Sequence, residues 1–135
     1  MEGNAGGDIL ACDAPHLLKV TFGDVTSVVT LHLSPDSDDT SLELEHTVPL
    51  TLAGSGGGAL FVGPGWDGAF LGLGLFLPSE VADDLVAAAN SSEAQEFSLG
   101  SIDAWTTAVA GTATEDEITA AAEVSRAQFS PDTNS

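Results

Sequence analysis

The amino-acid sequence predicts an α+β fold in which an antiparallel β-meander packs on one helix and further helices follow. Apolar and polar residues alternate between residues 17 and 48, and the longest apolar run follows at Gly63–Leu77. Capped, alanine-rich segments come after Pro78. Alternation is typical of half-buried strands, and apolar positions three or four residues apart are typical of helices. With 135 residues, the chain is long enough to bury a core of its own.

Four strands are predicted in the first part of the chain. In order, they are Asp8–Cys12, Leu17–Phe22, Val25–Leu33 and Ser41–Val48. Turn signals separate them, at Ala14-Pro15, Gly23-Asp24 and the acidic stretch Ser34–Asp39. One face is expected to be buried and the other wet, as in many antiparallel sheets. The buried face would carry Leu18, Val20, Val29, Leu31, Leu42, Leu44 and His46.

A glycine-rich segment, Pro49–Val62, connects the strands to the apolar run. Its sequence Gly54-Ser-Gly-Gly-Gly58 predicts a flexible linker. A phosphate-binding loop is the weaker interpretation, because no Lys-Ser or Lys-Thr follows and the surroundings are acidic.

The apolar run Gly63–Leu77 is predicted to be the central helix, with Pro64 in its first turn and Pro78 after its end. Apolar side chains occupy nearly its whole circumference, which predicts burial on all sides. One stripe carries Trp66, Phe70, Leu73 and Leu77, and the other side carries Leu71 and Leu75. Asp67 is explained by the positive end of the helix dipole.

Three glycines inside this helix, Gly68, Gly72 and Gly74, need a reason, since each costs about 1 kcal/mol relative to alanine. Close contact with the sheet and space for a ligand are the two candidate reasons.

Three helical segments are predicted after Pro78. Ser79 caps a segment through Ala88, and Ser92 with Gln95 forms a capping box for a helix that runs to about Ala110. Gly111 stands where that helix would end. The apolar stripe of this helix comprises Phe97, Ile102, Trp105 and Val109.

A second capping box, Thr114 with Glu117, opens the last helix, which ends before Pro131. Its apolar side carries Ile118, Ala121, Ala122 and Phe129. The predicted organisation is therefore a sheet with its central helix over residues 1–77, a helical extension over 78–130 and a tail over 131–135.

The charge balance restricts the partners. The chain has 21 acidic residues, only two basic ones, Lys19 and Arg126, and a net charge of −19. Nucleic acid and anionic membrane surfaces are excluded as expected partners, because binding phosphate requires Lys and Arg. The acidity fits a high-salt cytoplasm and also ordinary acidic bacterial proteins, and the sequence leaves this open.

The sequence indicates a cytoplasmic protein. Cys12 is the only cysteine, so no intrachain disulfide forms, and the first residues lack the basic and apolar regions of a signal peptide. The run Gly63–Leu77 is short and glycine-rich for a membrane span.

No catalytic constellation and no metal-ligand set emerge from the sequence, and no cofactor is expected. His46 lies on the apolar side of its strand and is either a polar anchor in an apolar pocket or a locally bonded strand-end residue. His32 is expected on the exposed side. Glu43 and Glu45 share the wet face, where solvation explains them better than paired catalysis does.

Three stretches together resemble one protein family. They are Glu2-Gly-Asn-Ala-Gly-Gly-Asp-Ile-Leu-Ala-Cys12, Leu42-Glu-Leu-Glu-His-Thr47 and Gly63-Pro-Gly-Trp-Asp-Gly-Ala-Phe-Leu-Gly-Leu-Gly-Leu75. This combination resembles the SRPBCC (START-like) superfamily, in the bacterial branch of homologues of the heat-shock protein 90 ATPase activator. The resemblance implies a helix-grip fold, a curved sheet around a long helix, with a cavity for apolar molecules between them. Wider members bind lipids, sterols or polyketides, and a minority are cyclases or dehydratases.

The chain departs from the family pattern at its start. Members usually carry a strand, two short helices and a further strand before the Glu2-Gly3-Asn4 stretch, so the sequence resembles a partial helix-grip. A sheet edge left open in this way is a template for pairing with another chain, and a homodimer is one expected outcome.

The leading hypothesis is a non-catalytic START-like domain that binds a small apolar ligand. The expected ligand-cavity residues are Leu31, Leu42, Leu44, His46, Trp66, Phe70 and Leu73. Two alternatives stay open: a co-chaperone-like protein-interaction module, and a cyclase or hydrolase that uses His46. A truncated remnant without a ligand site is the fourth reading.

Overall fold

The computed structural model describes residues 6–78, 87–88 and 90–133. The chain divides into two units, Met1–Leu52 and Ala53–Ser135. The first contains the strands and the second contains nearly all of the helical residues. The predicted α+β class is confirmed.

The first unit contains a four-stranded antiparallel sheet in the order β1-β2-β3-β4. Its strands are β1 (Ile9–Asp13), β2 (Leu17–Phe22), β3 (Asp24–Asp36) and β4 (Asp39–Thr47). The predicted meander is therefore confirmed. The last two strands extend further toward their shared turn than predicted, because the register runs on to the pair Asp36 and Asp39. Only Ser37 and Asp38 make the turn, and Ser37 has a left-handed backbone with φ 56°.

The turn between β2 and β3 is built from the residues that predicted it. Gly23 has φ 81°, a conformation that glycine adopts without steric cost. The carboxylate of Asp24 accepts hydrogen bonds from the hydroxyl of Thr26 and from its backbone N–H, the latter at 2.8 Å. The bond from the hydroxyl, which has the larger effect, and the bond from the N–H both lower the pKa of Asp24.

The segment before β1 lies against β2. The N–H of Asp8 donates to the hydroxyl of Thr21 at 2.7 Å, and the N–H of Thr21 donates to the carbonyl of Asp8 at 2.9 Å. A Cβ on Gly7 would overlap the backbone carbonyl of Thr21. Glycine is therefore required at position 7 by close approach of the two backbones.

Helices follow the sheet. In order, they are α1 (Leu50–Ala53), a first 3-10 helix (Gly56–Phe61), α2 (Gly63–Phe76), α3 (Ser92–Ala108), α4 (Glu115–Phe129) and a second 3-10 helix (Pro131–Thr133). The predicted segment Ser79–Ala88 falls mainly on residues 79–86, which lie outside the described residues.

The prediction of a flexible linker at Pro49–Val62 is wrong. The hydroxyl of Ser55 caps the first 3-10 helix by accepting the N–H of Gly57 at 3.1 Å. A Cβ on Gly56 would overlap the side chain of Thr112, and Leu60 is completely buried. The glycines are there for close packing, so their number does not indicate flexibility.

The core of the second unit lies among the first 3-10 helix, α3 and α4. It consists of Leu60, Ile102, Val109, Ile118, Ala121 and Ala122, with Ala59, Trp105 and Ala113 packed against it. The predicted apolar sides of α3 and α4 are confirmed in these positions. Phe97 was predicted to join them but is 39% exposed.

The start of α3 differs from its prediction by one residue. Ser91, and not Ser92, caps the helix by accepting the N–H of Ala94 at 3.2 Å. Gln95 is buried, and its amide bonds to Asp132 through two contacts of 2.9 Å, which fasten the C-terminal segment to α3. The predicted Ser92–Gln95 capping box is therefore wrong, because Gln95 has a long-range role.

The capping box of α4 is confirmed. The N–H of Thr114 donates to the carboxylate of Glu117 at 2.8 Å, and the N–H of Glu117 donates to the hydroxyl of Thr114 at 3.2 Å. Gly111 has φ 87° in the turn between α3 and α4.

Helix α2 has the predicted position but not the predicted burial. Only Gly63 and Pro64 are buried in it, whereas Leu71, Leu75 and Phe76 are 40%, 43% and 63% exposed. A Cβ on Gly68, Gly72 or Gly74 would meet no atom within 4 Å. Close contact therefore does not explain these three glycines. The close contact is made at the start of the helix, where a Cβ on Gly63 would overlap the indole of Trp105.

Candidate functional site

The register of the sheet brings apolar side chains of three strands onto one side. Leu31 pairs with Leu18 and Leu44, Val29 pairs with Val20 and His46, and Leu33 pairs with Leu42. Paired residues point to the same side of a sheet, and alternate residues along a strand do so too. We refer to this set as the apolar face; it comprises Leu18, Val20, Val29, Leu31, Leu33, Leu42 and Leu44.

Exposure changes along the apolar face. Val29 is 3% exposed, Leu31 and Leu44 are half-buried, and Leu42 and Leu33 are 36% and 38% exposed. The apolar face thus offers accessible apolar surface toward the turn between β3 and β4. Toward the other end of the face, Val29 and Ser27 are buried, and the hydroxyl of Ser27 is a polar group.

A polar pair stands at that closed end. The hydroxyl oxygen of Ser27 lies 2.8 Å from Nε2 of His46, and Ser27 is buried. The ring of Phe22 meets the imidazole edge-on, with ring centroids 5.8 Å apart. Burial lowers the pKa of His46, because an apolar environment disfavours the charged imidazolium. His46 is therefore mainly neutral near pH 7.

The four predicted cavity residues of the strands lie together. Leu31 and Leu44 are direct cross-strand neighbours, and Leu42 and His46 flank Leu44 along β4. Ser27 was not among the predicted site residues. Its signal was the two-residue alternation that places it on the same side as Val29, diagonal to His46.

The three predicted cavity residues of the helix lie on one stripe of α2, in the other unit. Trp66 is half-buried, while Phe70 and Leu73 are 36% and 37% exposed. Their participation in a ligand cavity stays a prediction.

The opposite side of the sheet carries the charges. Lys19, His32, Glu43 and Glu45 are all exposed and alternate with residues of the apolar face. The interpretation of Glu43 and Glu45 as a solvated face is confirmed.

A second polar cluster, Asp67 with Ser101 and Trp105, joins α2 to α3. One carboxylate oxygen of Asp67 accepts the hydroxyl of Ser101 at 2.6 Å and the indole N–H of Trp105 at 2.9 Å. Asp67 therefore has specific partners in addition to the helix dipole. No local pattern predicts this cluster, because Asp67 lies more than 30 residues before Ser101 and Trp105.

The described residues contain no group of three His, Cys, Asp or Glu side chains that could hold a metal ion. Cys12 is exposed, with a free thiol.

Within the described part of the chain, one helical stretch, Gly56–Phe76, is long and apolar enough to cross a membrane by length and composition. Such a single stretch is not decisive, because core helices of soluble proteins have the same composition.

Comparison with known proteins gives one solved structure with a similar fold. No protein-family profile matches the chain, and no curated protein matches it. The crystal structure of CalU16 from Micromonospora echinospora matches with a TM-score of 0.62 and 33% sequence identity. The match covers 82% of this chain and 62% of CalU16, so the chain spans less than two thirds of that protein.

This likeness supports the α+β fold of the chain. The likeness does not by itself show membership of the START-like superfamily.

Proposed function

We propose that the chain is a non-catalytic START-like domain that binds a small apolar ligand on the apolar face of its sheet. The observation that supports this most is the combination of accessible apolar side chains with one polar pair, Ser27 and His46, at one end. Ligand sites are commonly mostly apolar with a few placed polar groups. The likeness to CalU16 supports the fold on which the proposal rests.

The energetics of such a face favour a ligand. Leu33 and Leu42 each leave more than a third of their surface exposed to water. Covering apolar surface contributes roughly 25 cal/mol per Å². An apolar molecule that lies along β3 and β4 would gain this contribution without displacing a packed core.

A thermal-shift and native mass spectrometry screen tests the proposal. The panel contains fatty acids and fused-ring aromatic compounds. A ligand at about a hundred times its Kd stabilises the folded state by roughly 2.7 kcal/mol, which is measurable as a rise in Tm. If no compound shifts Tm and none is retained in the mass spectrum, the proposal fails.

A matched pair of variants locates the binding. Leu42→Asp places a carboxylate on the apolar face, and Ser34→Asp places one on the opposite side of the sheet, at the pair Ser34 and Ser41. Both add one negative charge at an exposed position. Leu42→Asp is expected to abolish binding and Ser34→Asp to leave it unchanged. Equal effects of the two variants would contradict binding at the apolar face.

A second candidate function is an enzyme of the cyclase or hydrolase kind with His46 as its base. It is favoured by one distance, the 2.8 Å between Nε2 of His46 and the hydroxyl of Ser27. A neutral imidazole at this distance can accept a proton from a hydroxyl. Hydrolysis of 1-naphthyl acetate that is lost in His46→Ala would support it, and equal rates in both proteins would remove it.

Three further predictions from the sequence stay predictions. Co-purification with a bacterial heat-shock ATPase tests the co-chaperone alternative. Sedimentation velocity tests the homodimer, and fractionation of cells tests the cytoplasmic location.

A further inference from the structure

Strand β4 forms a long, regular edge of the sheet. Among the residues that the structure describes, it pairs with β3 on one side only, and its register is unbroken from Thr47 to Asp39. The other edge strand, β1, has five residues and a register shift between Ile9 and Ala11, whereas β4 has nine residues. Short strands and bulges are features by which sheets avoid adding a further strand. The outer edge of β4 is therefore the edge better suited to accept one.

The backbone groups of β4 that point to this edge follow from one hydrogen bond of β3. The N–H of Leu33 donates to the carbonyl of His16 at 2.8 Å, on the side of β2. In an antiparallel ladder, residue pairs alternate between those that exchange hydrogen bonds and those that do not. Leu33 therefore exchanges no ladder bond with its β4 neighbour Leu42. The N–H and C=O of Leu42 point to the outer edge, and so do those of Leu44, two residues further along.

The position of Pro35 agrees with this pattern. Pro35 stands opposite Thr40 in the register, two residues from Leu33 along β3. Proline has no N–H to donate, so it fits a pair that exchanges no hydrogen bonds. The N–H and C=O of Thr40 therefore point to the outer edge as well.

Side chains of two kinds alternate along β4. Leu42 and Leu44 belong to the apolar face, and Glu43 and Glu45 are exposed on the opposite side of the sheet. A strand added along β4 would place alternate side chains beside the leucines and the remaining ones beside the glutamates. The complementary strand alternates apolar residues with basic ones.

A second copy of β4 does not have this complementarity. In an antiparallel pair of two copies, residues that point to the edge bond to one another, so the residues between them also face one another. Those residues are Asp39, Ser41, Glu43, Glu45 and Thr47, and β4 contains no Lys or Arg. Like charges directly opposite one another are destabilising, whereas opposite charges stabilise a strand pair. The net charge of −19 adds repulsion between copies, which salt screens over about 10 Å at 0.1 M.

We infer that the outer edge of β4 binds an extended segment of another protein in which apolar residues alternate with Lys or Arg. The segment adds in antiparallel orientation, the more stable pairing per residue, with its apolar residues beside Leu42 and Leu44 and its basic residues beside Glu43 and Glu45. Addition of a peptide strand to an exposed sheet edge is a recurring mode of recognition. This inference concerns a partner other than the small apolar ligand and does not depend on it.

Two capped peptides of equal charge test the alternation. They are Lys-Val-Lys-Val-Lys and Lys-Lys-Lys-Val-Val, and both are titrated into the ¹⁵N-labelled full chain. We expect the alternating peptide to bind roughly two- to tenfold more tightly, because only it pairs each basic residue with a glutamate and each valine with a leucine. We also expect it to slow amide hydrogen exchange at Leu42 and Leu44. The amides of Glu43 and Glu45 already point to β3 and are expected to change less.

Methylation of the peptide backbone tests the hydrogen bonds themselves. In the inferred register the valine N–H groups point to β4 and the lysine N–H groups point away from it. N-methylation of both valines is expected to weaken binding at least roughly tenfold, because it removes two donors. N-methylation of two lysines, which adds the same number of methyl groups, is expected to leave binding unchanged.

Two charge-reversed proteins locate the site. Glu43→Lys is expected to weaken binding of the alternating peptide by at least roughly threefold, because it replaces an attractive cross-strand pair with a repulsive one. Asp13→Lys changes the net charge equally at an exposed position of β1, the other edge of the sheet, and is expected to have little effect. The peptide comparisons use the unmodified protein and do not depend on either variant being folded.

Four results would overturn the inference. Equal binding of the two unmethylated peptides, equal binding of the two methylated ones, or equal effects of Glu43→Lys and Asp13→Lys would show only attraction of cations to an acidic chain. Slow amide exchange at Leu42 and Leu44 without peptide, in a chain that sediments as a dimer, would show that a second copy occupies the edge.

Discussion

The two units of the chain differ in how much of a buried apolar core they contain. The second unit buries Leu60 and Ile102 completely in a core of its own, while in the sheet only Val29 is a buried apolar residue among those described. The sheet has long, regular pairing but little enclosed apolar volume. Burial of side chains, more than strand pairing, supplies stability. The helical unit therefore holds most of the buried apolar core, although its helix α2 also exposes Leu71, Leu75 and Phe76. Under the proposed function, the exposed leucines of the sheet form the ligand surface.

Truncation of matched leucines tests this difference most strongly. Leu60→Ala in the core is expected to lower the free energy of unfolding by about 2–5 kcal/mol, because it removes buried methyl groups and leaves a cavity. Leu42→Ala on the apolar face, where the leucine is 36% exposed, is expected to cost less than about 1.5 kcal/mol. Urea denaturation measures both. Equal losses would contradict the division between a stability core and an open binding face.

Two glycines of α2 sharpen the comparison within the helical unit. Gly63→Ala forces a Cβ against the rigid indole of Trp105 and is expected to cost about 1–3 kcal/mol. Gly68→Ala meets open space in the same helix and is expected to stabilise by about 0.5–1 kcal/mol. Thermal unfolding of the pair measures the sign of each change. A stabilised Gly63→Ala protein would contradict the close packing of α2 on Trp105.

Two serines of the helical unit test how well its polar groups are satisfied. The hydroxyl of Ser125 is completely buried and has no hydrogen-bond partner among the residues that the structure describes, whereas that of Ser101 donates to Asp67. Ser125→Ala is expected to stabilise by about 1 kcal/mol, because an unsatisfied buried hydroxyl is removed. Ser101→Ala is expected to destabilise by a similar amount. Chemical denaturation that shows Ser125→Ala to be the more destabilised protein would contradict this assignment.

The smallest effect is expected from pH in the sheet. Burial lowers the pKa of His46 in the folded state, so between that value and about 6.5 the unfolded chain binds more protons than the folded one. The contribution of His46 to stability is therefore present above about pH 6.5 and is lost as the pH falls below it. His46→Gln is expected to flatten the decline of Tm over this range. An unchanged pH profile in His46→Gln would contradict the burial of a neutral imidazole.

Local patterns predicted most of the secondary structure. The two-residue alternation located β2, β3 and β4, the turn at Ala14-Pro15 marked the end of β1, and the Thr114–Glu117 pair located the start of α4. These features depend on residues near in sequence, which is why periodicity and capping rules reach them.

Long-range packing explains the misses. The glycine run Gly56–Gly58 looks like a linker until the close approach of Thr112 is known, and Gln95 looks like a cap residue until its bonds to Asp132 are known. The apolar composition of α2 predicted burial, but exposure depends on neighbours that composition does not reveal.

The same holds for the candidate site. Alternation predicted that Leu31, Leu42, Leu44 and His46 share one side, and the register confirms it. The bond between Ser27 and His46 forms because Ser27 on β3 lies diagonally opposite His46 on β4. Which residues are diagonal neighbours is known only once the register of the two strands is known.

Chemical-shift mapping with 1-naphthol tests the central claim most directly. The amide resonances of the ¹⁵N-labelled chain are recorded during a titration with the compound. The account predicts that the largest shifts fall on β3 and β4, around Ser27, Val29, Leu31 and Leu44, and that the core residues Leu60 and Ile102 do not respond. Shifts confined to the helical unit, or no shifts at saturating compound, would contradict it.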